Sequence, residues 1–243
     1  MIYKFCDFYV DMSPNYDYTL SMAEKFRYYG EIPNNATVIT VGEKTNIKYC
    51  EYVHSQEDYS HLPIGEVEHI ILEREFHTKV LDYDSIMLHS SAVKYKNKCY
   101  LFSAPSQVGK STHTRLWKKL YDVTILNDDK PVIRLSNGKA LVYGSPFAGG
   151  TYVCEDDFAK LGGIVFVERA FDNSIKEISY REAIPRFLQG TISYLNQDKM
   201  NKVLDILNEL FKMTKFYLLS CNTDDEAAVV AHDFIVKDDN YEG

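Results

Sequence analysis

One segment limits the folds open to this chain more than any other. An apolar stretch, KCYLFS at 98–103, runs into Ala104-Pro-Ser-Gln-Val-Gly109-Lys110-Ser111, with Thr112 next. Leu116, Trp117 and Leu120 then recur at helical spacing. The segment matches the phosphate-binding pattern G-x-x-x-x-G-K-[ST], except that Ala104 stands in place of the first glycine. The pattern works only between a strand and a helix, so it predicts an α/β sheet with the loop at a strand end. Each position has a physical reason. Gly109 lets the backbone approach phosphate oxygens while successive N–H groups turn inward as an anion nest. The helix starting at Lys110 points its positive dipole end at the same place. Lys110 reaches the β- and γ-phosphates, and the Ser111 hydroxyl is placed to ligate Mg²⁺. The expected binding residues are Ser106, Gln107, Val108, Gly109, Lys110, Ser111 and Thr112. An ordinary βα turn is the plain alternative.

A second signal follows the helix. Asn127-Asp128-Asp129 closes the next apolar stretch, and the strands on either side of a short βαβ unit end on one edge of the sheet, where ligands bind in open α/β folds. Two adjacent carboxylates there can divide their work, one holding a metal ion and one taking a proton from an acceptor hydroxyl. Asn-Asp-Asp is also an ordinary turn composition.

The rest of the pattern fills in around this unit. Residues 2–10 read as a strand and Asp17–Tyr29 as a helix closed by Gly30. Stretches 36–42 and 46–52 read as paired strands, and 66–81 as a loose helix. Strands are expected at 86–95, 98–103, 123–127, 131–135 and 139–143, the last two joined by the hairpin signal Asn137-Gly138. The loop GSPFAGG at 144–150 precedes a buried strand at 162–168 and reads equally as a flap over the site or a plain connection. Ser179–Glu182 and Thr223–Glu226 have capping-box spacing. Met200, Val203, Leu204, Leu207, Leu210 and Phe211 define a packed helix, followed by a strand at 216–220 and a last helix. The expected organisation is a small α+β module over 1–82 and a phosphate-loop domain with a mixed sheet over 83–243.

Charge and composition exclude several classes. The net charge of −8 argues against a nucleic-acid binder. The 243 residues hold no apolar run of membrane-spanning length, and the N-terminus has no signal-type pattern. Five single cysteines, never in CxxC, fit reduced thiols and a cytoplasmic location. The acidity is uneven. Residues 85–121 contain no acid but seven bases, which leaves 20 bases against 35 acids elsewhere. Three further features read blandly. His113 is expected as a partly exposed helix residue, and His69, Glu73 and His77 share a helix face without a further ligand for a metal. The six tyrosines within residues 1–29 are expected to cover the edge of a small core rather than grip a partner.

Three stretches, LHSSAV from Leu88, SAPSQVGKST from Ser103 and LNDDKP from Leu126, resemble the HPr kinase/phosphorylase family and its relatives with the phosphoenolpyruvate-carboxykinase-like nucleotide-binding fold. The likeness covers about residues 86–150 well. It extends over nearly the whole chain for bacterial members of that group that bring no known substrate. The resemblance implies an ATP-dependent kinase with Mg²⁺ and a mixed α/β sheet. Lys110 and Ser111 would bind Mg-ATP, Asp128 would be the general base, Asp129 the metal-site partner and His89 a phosphate-contacting neighbour. The glycine-rich signature that those kinases carry after the Asp pair has no counterpart, so the HPr protein is not the expected acceptor. Glu155 is the nearest match to the family's later metal-binding glutamate. The acceptor is expected to bear a hydroxyl on a peptide, a protein or a metabolite. A homo-oligomer stays open, as does a non-catalytic ATP-binding sensor or partner-recruiting module on the same fold.

Overall fold

The computed structural model describes residues 1–105, 108–149, 152–191 and 195–239. Its first part opens with a hairpin rather than one strand. β1 (Ile2–Phe5) and β2 (Phe8–Met12) pair antiparallel across Cys6 and Asp7, both with positive φ (+55° and +58°). The apolar run over 2–10 conceals that turn, because Cys6 is itself buried, with its Sγ 3.8 Å from the Gly144 carbonyl. α1 (Asp17–Ala23) stops short of Tyr29 and tightens into a 3₁₀ turn at Glu24–Phe26. β3 (Val38–Val41) lies parallel to β2, and the strand expected at 46–52 is instead α2 (Ile47–His54). Asn46 decides this locally, since its Oδ1 accepts the Tyr49 N–H at 3.1 Å and caps the helix. α3 (Ile64–Val80) closes this part and packs on β3 and α1.

The main sheet runs β4 (Ser85–Met87), β8 (Val132–Ser136), β9 (Lys139–Tyr143), β10 (Phe158–Arg169), β6 (Lys98–Ser103), β5 (Ser90–Tyr95), β7 (Val123–Asn127) in spatial order. β12 (Phe216–Cys221) adds to β10 in parallel, and β11 (Ser174–Glu177) pairs with β12. The strand expected over 86–95 breaks at Leu88 and His89. β4 goes to one edge beside β8, while β5 sits between β6 and β7. That break brings His89 to the end of the sheet where β6 and β7 finish. The Asn137-Gly138 hairpin forms as expected, with φ of +51° and +69°.

Two helical layers sandwich the sheet. α4 (Lys110–Leu120) and α7 (Asp225–Asp239) cover one face, where Trp117, Tyr100, Phe102, Val165 and Ala231 share a core. α5 (Tyr180–Gln189) and α6 (Gln197–Met213) cover the other, burying Phe187, Val203, Leu207 and Leu210 against Leu101, Ile164 and Phe166. Leu204, expected to point inward, is exposed. Glu182 caps α5 by accepting the Ser179 N–H at 3.0 Å. Thr223 does not start the last helix: α7 begins at Asp225, and Asn222 Oδ1 accepts the Asp224 N–H at 2.9 Å. No helix among the described residues is long and apolar enough to cross a membrane.

His113 is not the partly exposed residue its position suggests. It is buried, and its Nε2 accepts the Trp117 indole N–H at 3.0 Å. His77 is buried and accepts the Met87 N–H at 3.3 Å, and buried His69 pairs with Thr19 Oγ1 at 3.1 Å. Among the described residues no group of three His, Cys, Asp or Glu side chains is placed to hold a metal. Burial lowers all three histidines from 6.5, His69 and His113 to about 4 and His77 to about 3. A base with a depressed folded pKa stabilises fully above its unfolded value, and that contribution is lost as the pH falls toward the folded one. Stability should therefore decline between about pH 6.5 and 4, by about 1.4 kcal/mol per pH unit for each proton taken up on unfolding. Urea midpoints measured across that range check this, and His113→Gln, which keeps an acceptor for the indole, should flatten the slope. A midpoint indifferent to pH would contradict it.

Candidate functional site

The C-terminal ends of β6 and β7 and the start of β5 meet at one end of the sheet, and the segments there carry the sequence-nominated residues. Gly109 ends the loop with φ +118°, a conformation that side chains resist, while an added Cβ would meet nothing within 4 Å. The constraint there is backbone conformation rather than side-chain packing among the described residues. Val108, half-buried, offers its carbonyl to Arg169 Nε at 3.1 Å, which ties the loop to the end of β10. Ser106 and Gln107 lie outside the described residues. Ser111 is half-buried and Thr112 exposed on the first turn of α4. Among the described residues Ser111 Oγ makes no hydrogen bond to either aspartate.

Lys110 is buried at the first position of α4, and its ammonium meets Asp129 Oδ1 and the Asp128 carbonyl, each at 3.3 Å. The same Asp129 oxygen lies 3.0 Å from His89 Nε2. The two carboxylates are therefore unlike. Burial alone would raise Asp129, but the His89 hydrogen bond and the charges of Lys130 and Lys110 outweigh it and hold the carboxyl well below its ordinary range. Asp128 is pushed upward, chiefly by burial and also by the neighbouring Asp129 charge, although the Gly149 N–H (3.3 Å from Oδ1) opposes the shift. Burial also lowers the Lys110 ammonium, against the pull of Asp129.

The residue that shapes the pair is Asn127, which the Asn-Asp-Asp composition marks only as an ordinary turn. Asn127 Oδ1 accepts the backbone N–H groups of Asp129 (2.8 Å) and Lys130 (2.7 Å), an Asx turn that fixes both aspartates. Its Nδ2 donates to the carbonyls of Ser145 (3.0 Å) and Phe147 (3.2 Å). Lys130 is held by Glu73 of α3 at 3.8 Å. His89 is gripped through its backbone: its N–H donates to Gly190 O at 2.7 Å and its carbonyl accepts from Ser103 Oγ at 2.9 Å. In the sequence, Asn127 stands out only through the Asn-Asp-Asp turn composition, and Lys130 only through its place inside LNDDKP. Glu155 is engaged elsewhere, its carboxylate 3.2 Å from Lys25.

The described part of the 144–150 loop is a buried wall and not an open flap; Gly150 lies outside the described residues. Phe147 is buried against Phe5, Phe76 and His69 from the N-terminal part, so that part supports the wall beside Asp128. Gly144 permits the close approach, since an added Cβ would stand 1.8 Å from Glu155 O and 2.7 Å from Leu126 O. Because both neighbours are backbone atoms, Gly144→Ala should cost about 3 kcal/mol of stability, read from urea unfolding. A loss below about 0.5 kcal/mol would contradict this packing. On the α5 side a cavity of about 150 Å³ adjoins the loop, lined by Ser103, Ala104, Pro105, Phe166, Arg186 and Gln189.

No protein-family model matches the chain, and no curated protein does. Among solved structures it is similar to the Hpr(Ser) kinase/phosphatase from Coxiella burnetii. The identity is 8%, the match covers 64% of this chain and 94% of that one, and the TM-score is 0.38. An overlap that loose says nothing about chemistry, which has to be read from the side chains.

Proposed function

We propose that the chain is an ATP-dependent phosphotransferase that moves the γ-phosphoryl group to an acceptor hydroxyl, with Asp128 as base. One observation carries the reading. A buried lysine at the start of a helix, behind a glycine in the left-handed region, meets one of two adjacent carboxylates whose proton affinities are driven apart. Such a separation is how one site obtains a base and a permanently charged neighbour from the same residue type.

The residues fit Mg-ATP. An added Cβ on Gly109 would meet no described atom within 4 Å, the helix N-terminus and Lys110 suit phosphate oxygens, and Ser111 and Asp129 supply the oxygen donors that Mg²⁺ prefers. The ion, when bound, neutralises charge on the transferring phosphate oxygens. Lys110 exchanges its contact with Asp129 for the β- and γ-phosphates. His89, already beside Asp129, faces the same oxygens. Asp128 accepts the acceptor's proton as its oxygen bonds to the γ-phosphorus and the bond to the β-phosphate oxygen breaks, releasing ADP. The cavity beside Ser103 and Pro105 leaves room for a small acceptor or a protruding side chain.

Calorimetry with Mg-ATP, paired with γ-labelled ATP and fractionated cell extract, tests the reading. Saturable binding below about 1 mM and label in an acid-stable phosphate ester support it. Binding without transfer to any fraction selects the sensor alternative. Absence of binding at millimolar Mg-ATP rejects both.

A further inference from the structure

Lys130 stands one residue beyond the Asp pair, and the backbone around it is fixed on both sides. Its N–H donates to Asn127 Oδ1 at 2.7 Å, its carbonyl accepts from Ser145 Oγ at 2.8 Å, and Pro131 follows. A backbone held this firmly determines where the side chain starts. The ammonium at its far end is held more loosely. Its one ion-pair partner among the described residues is Glu73 of α3, and the 3.8 Å between them is longer than a hydrogen bond.

The plain reason for the pair is neutralisation. Glu73 is mostly buried, and a buried carboxylate without a cation is costly. Neutralisation alone does not account for the other charges that Lys130 feels. Burial works against the Asp129 charge, the His89 hydrogen bond supports it most, and the Lys130 charge comes next, ahead of Lys110. The Lys110 ammonium, disfavoured first by burial, is disfavoured further by the Lys130 charge. Two ammonium groups thus act on one carboxylate, at the sheet end where His89 also faces Asp129. Mutual repulsion opposes that gathering, and a polyanion between the two groups would turn it into attraction.

We propose that Lys130 is a second phosphate-binding cation, which leaves Glu73 to meet the γ-phosphate oxygens when Mg-ATP is bound. This role rests on the Mg-ATP reading of the site, and it holds whether or not transfer follows. Lys130 adds to Lys110 and does not replace it, because Lys110 alone opens α4. Calorimetry with Mg-ATP and with Mg-ADP, run on the full chain, tests the role. Lys130→Gln should weaken Mg-ATP about tenfold and Mg-ADP less than about threefold, since ADP lacks the group the ammonium meets. Glu73→Gln with Lys130→Gln removes the buried carboxylate together with its cation, so it separates neutralisation from phosphate binding. Mg-ATP should stay about tenfold weaker in that double variant. Recovery of Mg-ATP affinity there overturns the role, as does equal weakening of both nucleotides by Lys130→Gln. Where Lys130→Gln alone does not fold, the double variant carries the comparison of ATP with ADP. Unfolding of both variants means that the pair only ties α3 to the sheet end, which also overturns the role. An unaltered chain that binds no Mg-ATP at millimolar concentration rejects the Mg-ATP reading itself. Binding that the unaltered chain shows and Lys130→Gln leaves unchanged overturns the role of Lys130 alone.

Discussion

Asp128→Asn is expected to abolish phosphoryl transfer while leaving Mg-ATP binding intact. The substitution keeps the size of the side chain and an oxygen that can still accept the Gly149 N–H, now 3.3 Å away. What it removes is the ability to hold a proton. A positioned general base contributes about 10²–10⁴ in rate, so labelled transfer should fall by that factor. Binding should stay within about threefold, because the Lys110 contact to residue 128 is with its backbone carbonyl. The raised proton affinity of Asp128 also sets a sign for pH. Transfer depends on the unprotonated carboxylate, so it should weaken as pH falls through a value raised above that of a free aspartate. Asp129→Asn should behave differently. It breaks contacts to both Lys110 and His89 and should disturb binding and transfer together. Normal transfer by the Asp128→Asn protein would falsify the base assignment.

What the sequence disclosed and what it concealed follow one physical division. α4 could be read to the residue because its start is set by local chemistry, a glycine free to take positive φ and a lysine opening the helix. The Asn137-Gly138 hairpin was legible for the same reason. Errors arose where tertiary context outweighs local preference. Residues 46–52 carry strand-forming side chains, yet one Asn46 cap makes them a helix, and β3 finds a parallel partner in β2 that lies far off in sequence. The run 86–95 has apolar residues on both sides of His89-Ser90-Ser91, so hydrophobic periodicity alone did not reveal the break at Leu88 and His89 that sends its halves to separate parts of the sheet. The site was legible as a set of residue types: Lys110, Asp128, Asp129 and His89 do converge. Its support was not legible, because Asn127, Gly144 and Phe147 act through backbone groups and packing contributed by distant segments.

Lys110→Ala should collapse nucleotide affinity without unfolding the chain, although the residue is buried. Removing one member of a buried ion pair ordinarily costs about 3–5 kcal/mol because the other charge is stranded. Here Asp129 is not stranded. His89 Nε2 remains 3.0 Å from its Oδ1, and the charge of Lys130, held by Glu73, still favours its ionised form. The lysine itself is unfavourably placed, since burial already depresses its ammonium. Stability should therefore change by no more than about 1 kcal/mol, with Lys110→Met restoring the packing of the aliphatic stem. Nucleotide binding has no such reserve. The β- and γ-phosphates would lose the one cation that opens α4, and the pull of the helix end alone is worth about 1 kcal/mol or less. Mg-ATP affinity should drop about 10²–10³-fold in both variants, measured by calorimetry beside urea unfolding of the same samples. Affinity within about threefold of the unaltered chain in a folded Lys110→Met protein would remove the lysine from the phosphate site. Unfolding of both variants would mean instead that the Lys110–Asp129 pair holds the end of the sheet together.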